Sequence, residues 1–160
     1  MTLSETLLSK LSEWTPTGPG RHSWSYPLGE SGWVLNMAAD RVDSLGCQIW
    51  ELLLTRSGEP IPNAALKVKA ENASARATGL LEPLHFIELD EIRCEALLRS
   101  ETPAKRGQAL AYYEVLMSAG QRIVVRRYVN NPEKARRREQ VAYVLTHEAV
   151  AKLVDDLVRE

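Results

Sequence analysis

The chain of 160 residues has the usual length of one compact domain. Hydrophobic residues make up 44% of it and charged residues 26%, close to the averages for globular proteins, which excludes a disordered or collagenous chain. The 20 lysines and arginines are balanced by 21 acidic residues, so the net charge of −1 points to no polyanionic partner. We predict a single domain over residues 1–160.

The cysteine content and the first residues predict a compartment. Cys47 and Cys94 are too few for a disulfide framework and no CxxC is present, which favours free thiols in a reducing environment. Residues 1–10 lack the basic start, apolar run and cleavage site of a signal peptide. No stretch approaches the roughly 18 apolar residues of a membrane-spanning helix. We expect a cytoplasmic protein without membrane association.

The first element is predicted to be a helix. Thr2 can cap its start, and Glu5 completes a capping box. Its apolar residues recur at helical spacing, at Leu3, Leu7, Leu11 and Trp14. Prolines and glycines at 16–20 end the helix. The hydrophobic period then changes to two, which predicts strands at 22–26, 33–39 and 47–56, with a turn at 29–32.

Residues 62–79 fit either a strand or a helix. Leu66, Val68 and Ala70 alternate with charged residues, as in a strand. However, six of the fifteen residues 64–78 are alanine, which is the best helix former and a poor strand former. Asn63 is placed to cap a helix and Gly79 to end one in the left-handed conformation. We predict a helix here.

The second half returns to strand periodicity and closes with a helix. The predicted strands are 84–89, 92–100, 109–118, 122–129 and 138–145, with a hairpin turn at 118–121. Thr146 is expected to cap a last helix from His147 to about Arg159. The sequence thus predicts an α+β fold, an antiparallel sheet of about 7–8 strands with helices at the N-terminus, in the middle and at the C-terminus packed on it.

A shift of 63 residues aligns two segments with the same order of elements. Residues 3–56 and 66–119 would each form a helix followed by three strands. Within them, Trp50-Glu51-Leu52-Leu53 falls on Tyr113-Glu114-Val115-Leu116. Residue identity along the alignment is near chance, so the pattern fits either an internal duplication of αβββ halves or ordinary sheet periodicity.

Two predicted strands are apolar on both faces. One carries Ile49 and Leu53 on one side and Leu52 and Leu54 on the other, and the strand at 109–118 is similar. Three short helices cover only one face of a long sheet, so the other face must roll up, meet a second sheet or meet another protein chain. We expect it to bind a protein partner or to form a homodimer. The order of elements, with no accompanying motif, resembles the secretion-chaperone-like fold, which fixes no function.

The sequence has no catalytic or cofactor signature. It contains no GxxxxGK[ST], GxGxxG, GxSxG or HExxH motif. His147 and Glu148 resemble the start of a zinc helix, but Ala151 stands where the second histidine is required. We therefore assign the pair to the first turn of a helix. We expect no catalytic residues, no cofactor and a non-catalytic binding or association module.

Two histidines and two glutamates form an alternative site. Under the 63-residue shift His22 matches His85, and Glu51 matches Glu114. If the two halves faced each other across a twofold axis, these four residues could bind a divalent metal or a small ligand. The simpler interpretation is that each side chain is satisfied locally on its strand.

Positive charge is concentrated between residues 105 and 138. Nine basic residues there outnumber two glutamates, a net charge of +7, whereas residues 82–101 carry −4. A polyanion such as nucleic acid would contact Arg122, Arg126, Arg127, Arg136, Arg137 and Arg138. The alternatives are an edge strand protected by charge or an ion-paired surface. We favour pairing for Arg126 or Arg127 and solvation for residues 136–138, and nucleic acid ranks second because the whole protein is not basic.

Overall fold

The computed structural model describes residues 1–100, 104–119, 121–133 and 138–160. In these ranges the chain forms three helices, α1 Leu3–Glu13, α2 Asn63–Arg76 and α3 His147–Val158. The strands are β1 His22–Pro27, β2 Trp33–Val42, β3 Gly46–Arg56, β4 Leu84–Asp90, β5 Glu95–Ser100, β6 Ala104–Arg106, β7 Ala109–Ser118, β8 Arg122–Asn130, β9 Arg138–Val141 and β10 Tyr143–Thr146. The predicted α+β fold, an antiparallel sheet with helices at both ends and in the middle of the chain, is confirmed.

All strands belong to one sheet. Seven of them follow the order β1-β2-β3-β8-β7-β5-β4, while β6, β9 and β10 pair with β7, β8 and β3 respectively. Every pair is antiparallel. The sheet therefore has β1 and β4 as its edges and β3 and β8 at its centre.

The core lies between one face of the sheet and the helices. Helix α3 contacts both α1 and α2. Fully buried side chains of this layer include Leu7, Leu11, Leu35, Leu52, Leu54, Leu66, Leu98, Val150 and Leu153. The opposite side of the sheet, which we call the open face, has half-buried leucines. No helix in the described ranges is long and apolar enough to cross a membrane.

Capping explains where the first and last helices begin. The Thr2 hydroxyl accepts from the Glu5 N–H at 3.1 Å, and the Glu5 carboxylate accepts from the Thr2 N–H at 2.8 Å. The predicted capping box is thus confirmed. The Thr146 hydroxyl likewise accepts from the Ala149 N–H at 3.1 Å and caps α3.

The helix predicted at 62–79 is present as α2, but both of its predicted ends are wrong. Asn63 is the first helical residue rather than the cap, and its side-chain amide donates to the Glu91 carbonyl at 3.0 Å. Gly79 is not left-handed. A Cβ on Gly79 would lie 3.4 Å from the Ala149 carbonyl oxygen, which is an ordinary contact distance, so Gly79 lies beside α3 without acting as a left-handed stop. Burial of Leu66, Ala70 and Ala73 holds α2 in place.

Strand boundaries differ from the prediction in two places. The predicted strand at 92–100 begins only at Glu95, because the Asp90 carboxylate accepts from the N–H groups of Ile92 and Arg93 and forms a turn. The predicted strand at 138–145 is divided into β9 and β10. With the short β6, this division raises the number of strands to ten.

A bulge in β3 changes which residues share a face. Ala38 is paired with Glu51 and Ala39 with Ile49, which leaves Trp50 as an extra residue. Ile49 therefore joins Leu52 in the core, where both are fully buried, and the strict alternation that grouped Ile49 with Leu53 is wrong. Leu53 lies on the open face.

The central strands separate at a point that we call the fork. β3 and β8 are paired only over residues 52–55 and 122–125, and beyond them β9 pairs with β8 and β10 with β3. The Tyr143 hydroxyl donates to the Val125 carbonyl at 2.9 Å, and the Gln140 side-chain amide donates to the Trp50 carbonyl at 3.0 Å. Burial raises the pKa of the Tyr143 hydroxyl well above its ordinary value, so it stays a neutral donor.

The two segments aligned by the 63-residue shift have the same order of elements. Residues 3–56 form α1-β1-β2-β3, and residues 66–119 contain most of α2 followed by β4, β5 and β7, with the short β6 before β7. β8 lies between the two groups of strands. This order is compatible with two αβββ halves, and their duplication stays a prediction.

We predict that Tyr143→Phe lowers the free energy of unfolding by about 1–3 kcal/mol, because the Val125 carbonyl at the fork loses a hydroxyl donor while it stays buried. Urea denaturation measures this difference. Tyr26→Phe is the control, since Tyr26 stacks on Trp24 at 5.6 Å without a hydroxyl hydrogen bond to the described residues. Equal losses in both variants would contradict the stabilising role of the fork.

Candidate functional site

Side chains on the open face form rows, because cross-strand partners point to the same side of a sheet. One row crosses β3, β8, β7 and β5 and is entirely aliphatic. Its members, which we call the aliphatic row, are Leu53, Val124, Leu116 and Leu97. Asn36 continues the row on β2 and Glu88 on β4. Val124 is buried by its neighbours, whereas the leucines are partly exposed.

The next row alternates in charge. In strand order it contains Glu51, Arg126, Glu114 and Arg99, with His85 at the β4 edge, and we call it the charged row. Arg126 Nε donates to Glu51 Oε1 at 2.7 Å, and Arg99 Nη2 donates to Glu114 Oε1 at 3.2 Å. Glu114 also accepts from Arg138 of β9. One carboxylate thus holds two guanidinium groups.

Two tyrosines lie beyond the charged row. Tyr112 and Tyr128 are cross-strand partners with ring centroids 6.1 Å apart. The Arg99 guanidinium lies 5.1 Å from the Tyr112 ring centroid, and that of Arg138 lies 3.7 Å from the Tyr128 ring centroid. Each arginine on Glu114 is therefore also stacked on an aromatic ring, which limits its rotamers and adds a cation–π contribution.

Burial and pairing determine the charge state of these arginines. Burial opposes ionisation of Arg126, but hydrogen bonds to Glu51 and Tyr128 outweigh it and hold the pKa of Arg126 above its ordinary value. Arg138 behaves in the same way, with Tyr128 and Glu114 as the favourable neighbours that raise its pKa. Glu114 itself is only 9% exposed. A carboxylate this buried needs compensation, which its two arginines supply.

The same combination of groups occurs near the β1 edge. Arg21 Nε donates to Asp40 Oδ1 at 2.8 Å, and its guanidinium lies 4.1 Å from the Trp50 ring centroid. A shallow pocket of about 280 Å³ lies close by, lined by Ser25, Asn36, Leu53 and others. The open face therefore combines aliphatic, aromatic and paired charged groups along its whole width.

The arginines proposed for polyanion binding do not share one surface. Arg126 is paired with Glu51 on the open face, and Arg127 with Glu82, at 3.0 Å, on the helix side. The expected pairing is thus present, with Glu82 of the acidic segment 82–101 for Arg127 and with Glu51, outside that segment, for Arg126. Arg138 was expected to be solvated, and this is wrong because Glu114 binds it. Arg122 is exposed, while Arg136 and Arg137 lie outside the described residues.

The four residues of the alternative metal site are not brought together. His22 lies on edge strand β1 with its Nε2 3.0 Å from the Gly18 carbonyl, and His85 lies on the opposite edge strand β4. Glu51 and Glu114 share the charged row, but Arg126 separates them. Within the described ranges, no group of three His, Cys, Asp or Glu residues is placed to hold a metal ion.

A larger pocket, of about 640 Å³, lies near the β2–β3 turn and includes His22, Asp43 and Cys47 in its lining. The Asp43 carboxylate accepts from the N–H groups of Leu45 and Gly46, both at 2.8 Å, and these bonds lower its pKa. Burial, reinforced by Asp43, raises the pKa of the Cys47 thiol to about 11. These groups therefore serve the turn and the core, and Cys47 is a poor nucleophile at neutral pH.

Sequence reasoning overlooked the rows, although one signal for them was available. The hairpin at 118–121 was predicted, and counting outward from it pairs Leu116 with Val124, Glu114 with Arg126, and Tyr112 with Tyr128. The partner Arg99 requires the register of β5 as well. Arg138 requires the fork, which is not visible from local sequence.

No protein-family model, curated protein or solved structure matches this chain. The functional argument therefore rests on the open face and the pockets themselves.

We predict that Glu114→Gln lowers the free energy of unfolding by about 1–3 kcal/mol, because two half-buried guanidinium groups lose their charged acceptor. Glu71→Gln is the control. Glu71 is paired with Lys67 at 3.9 Å on the surface of α2 and is 50% exposed, so we expect a change below about 0.5 kcal/mol. Indistinguishable urea midpoints for the two variants would show that the charged row adds no stability.

A further prediction concerns the thiols. Because its pKa is about 11 and it is buried, Cys47 should resist iodoacetamide in the native protein at pH 8, and its labelling should increase only as the pH rises towards 11. Cys94 is partly exposed and serves as the internal reference. Mass spectrometry of peptides identifies the labelled residue. Equal labelling of both cysteines at pH 8 would contradict the burial of Cys47.

Proposed function

We propose that this protein is a non-catalytic association module whose open face binds protein, with a second copy of the chain as its first partner. The observation that carries the proposal is the aliphatic row, formed by Leu53, Val124, Leu116 and Leu97, on the side of the sheet opposite the helices. Half-buried leucines in the middle of a sheet gain stability when a partner excludes water from them.

The surroundings of the aliphatic row suit a protein interface. Arginine, tyrosine and tryptophan are the residues that most often supply binding energy between proteins. Here Arg99 and Arg138 are already fixed by Glu114 and by stacking on tyrosine rings. Side chains that are ordered before binding lose little entropy on association.

The charges on the open face favour a second copy over a polyanion. The charged row alternates in sign, so a twofold-symmetric contact can place an arginine of one copy opposite a glutamate of the other. A polyanion would require uncompensated cations, whereas Arg126, Arg127 and Arg138 each have a carboxylate partner. The polyanion alternative is therefore the less favoured of the two.

Substitution of the aliphatic row tests this proposal. We expect the native protein to show twice the chain mass in light scattering at high micromolar concentration, and Leu53→Glu or Leu116→Glu to reduce it to one chain mass. Buried charge in the contact would disfavour the dimer strongly. Circular dichroism verifies that the variants are folded.

Ile92→Glu is the matched control. Ile92 is 95% exposed in the turn between β4 and β5, away from the aliphatic row, so this substitution should leave the dimer intact. A native protein that stays a monomer at every concentration would contradict the homodimer. Dissociation by Ile92→Glu as strong as that by Leu53→Glu would show that the open face is not the interface.

A further inference from the structure

A second surface lies on the helix side of the molecule. The end of β3, helix α2 and the residues that follow α3 enclose a pocket of about 220 Å³. Four cationic side chains line it, Arg56, Lys69, Arg76 and Arg159. Ile61, Ala65 and Val68 supply an apolar wall. We call this feature the basic pocket.

Two of the cations of the basic pocket, Arg56 and Lys69, pack against one buried aromatic ring. The Arg56 Cζ and the Lys69 Nζ are each 4.8 Å from the centroid of the Trp33 ring, which is 1% exposed. Contact with the same indole ring gives each cation a favourable cation–π interaction, although the two like charges repel.

Lys69 is the least compensated of these groups. Its Nζ is buried and has no hydrogen-bond partner among the described residues. Burial, and then the positive charges of Arg56 and Arg76, lower the pKa of Lys69, which Glu160 only partly offsets. A buried ammonium without an acceptor is costly, and an anion that enters the pocket would supply the missing acceptor.

The available carboxylates do not neutralise the pocket. Glu160 Oε1 lies 2.7 Å from Arg56 Nη1, and Asp155 Oδ2 lies 2.9 Å from Arg159 Nη2. Among the described residues, Arg76 is engaged only by the carbonyl of Arg159, at 3.2 Å. Counted over the part of the chain that the structure describes, four cations against two paired carboxylates leave a local charge of +2.

The contact between Arg56 and Glu160 indicates the kind of ligand. The hydrogen bond from Arg56 lowers the pKa of the Glu160 carboxyl, so the group is ionised and occupies the anion position. The Glu160 side chain is nevertheless 76% exposed, and a pair with one solvated member contributes little free energy. A free anion can therefore displace it.

We propose that the basic pocket binds a small anion through a carboxylate or phosphate group, with the Glu160 carboxylate as its internal competitor. Arginine forks and a lysine ammonium together match the oxygen geometry of both groups. The volume is below the roughly 300–1,000 Å³ of sites for larger ligands, so the anion is small or is the charged end of a longer molecule.

Two-dimensional NMR of the indole N–H signals tests the proposal on the whole protein. The Trp33 ring contacts Arg56 and Lys69 of the pocket, so its indole signal should move saturably with added inorganic phosphate or, in a separate titration, with acetate. Glu160→Gln removes the competitor and should tighten binding about two- to fivefold. Lys69→Met removes the buried donor and should weaken binding at least tenfold.

Lys67→Met is the matched control, because Lys67 lies on the same helix but points to solvent and is paired with Glu71. Its affinity should stay within about twofold of the native value. Arg76→Gln provides a second test of the pocket if Lys69→Met does not fold. Leu53→Glu on the open face should bind the anion normally, so the result is independent of the proposed association.

The results of the phosphate and acetate titrations lead to different conclusions. Tighter binding of phosphate would assign the site to phosphoryl groups, and tighter binding of acetate would assign it to carboxylates. Absence of a saturable shift in both the native protein and Glu160→Gln would overturn the proposal. An equal loss in Lys67→Met and Lys69→Met would also overturn it, because it would show attraction by general positive charge alone.

Discussion

The divergence of β3 from β8 is the constraint on which the rest of this structure depends. Once the two central strands separate, their backbone groups need new partners, and β9 and β10 supply them. The Tyr143 hydroxyl closes the point of separation. The course of the chain through β9 and β10 also places Arg138 against Glu114 and Thr146 at the start of α3. One break in sheet pairing thus organises both the charged row and the position of the helix that contacts α1 and α2.

The helices cover one face of the sheet, and this determines which side chains can occupy the opposite, open face. On the helix side, aliphatic side chains such as Leu52 and Leu98 are removed from water completely. On the open face no helix of the described ranges covers the sheet, and there the aliphatic groups form one row with compensated charges beside it. Each paired arginine on the open face contacts a carboxylate and often an aromatic ring, and these weak contacts order its side chain without burying it completely. The resulting surface is ordered, close to neutral and only partly desolvated, which suits reversible association.

Local sequence patterns were sufficient to predict most helices and strands, but not the ends of α2 or the pairing between distant strands. Period, alanine content and capping residues predicted the three helices and most strands, because these signals depend on neighbours within a few positions. The ends of α2 were mispredicted, since the Asn63 side chain donates to the distant Glu91 carbonyl instead of capping the helix, and Gly79 is not left-handed. The bulge at Trp50 and the division into β9 and β10 arise from pairing between distant segments, and no local pattern records that pairing.

Net charge proved a poor guide to where charge matters. The value of −1 for the whole chain argues against a polyanion partner, and on the open face that argument agrees with the pairing of Arg126 and Arg138. It says nothing about the basic pocket, where Lys69 Nζ is buried without an acceptor among the described residues. The electrostatic field of the whole chain affects how a partner approaches. A buried charged group without a counter-ion instead favours a ligand of opposite charge at that point. An almost neutral chain therefore holds one surface whose charges are paired, the open face, and one pocket with an excess of cations, on opposite sides of a single sheet.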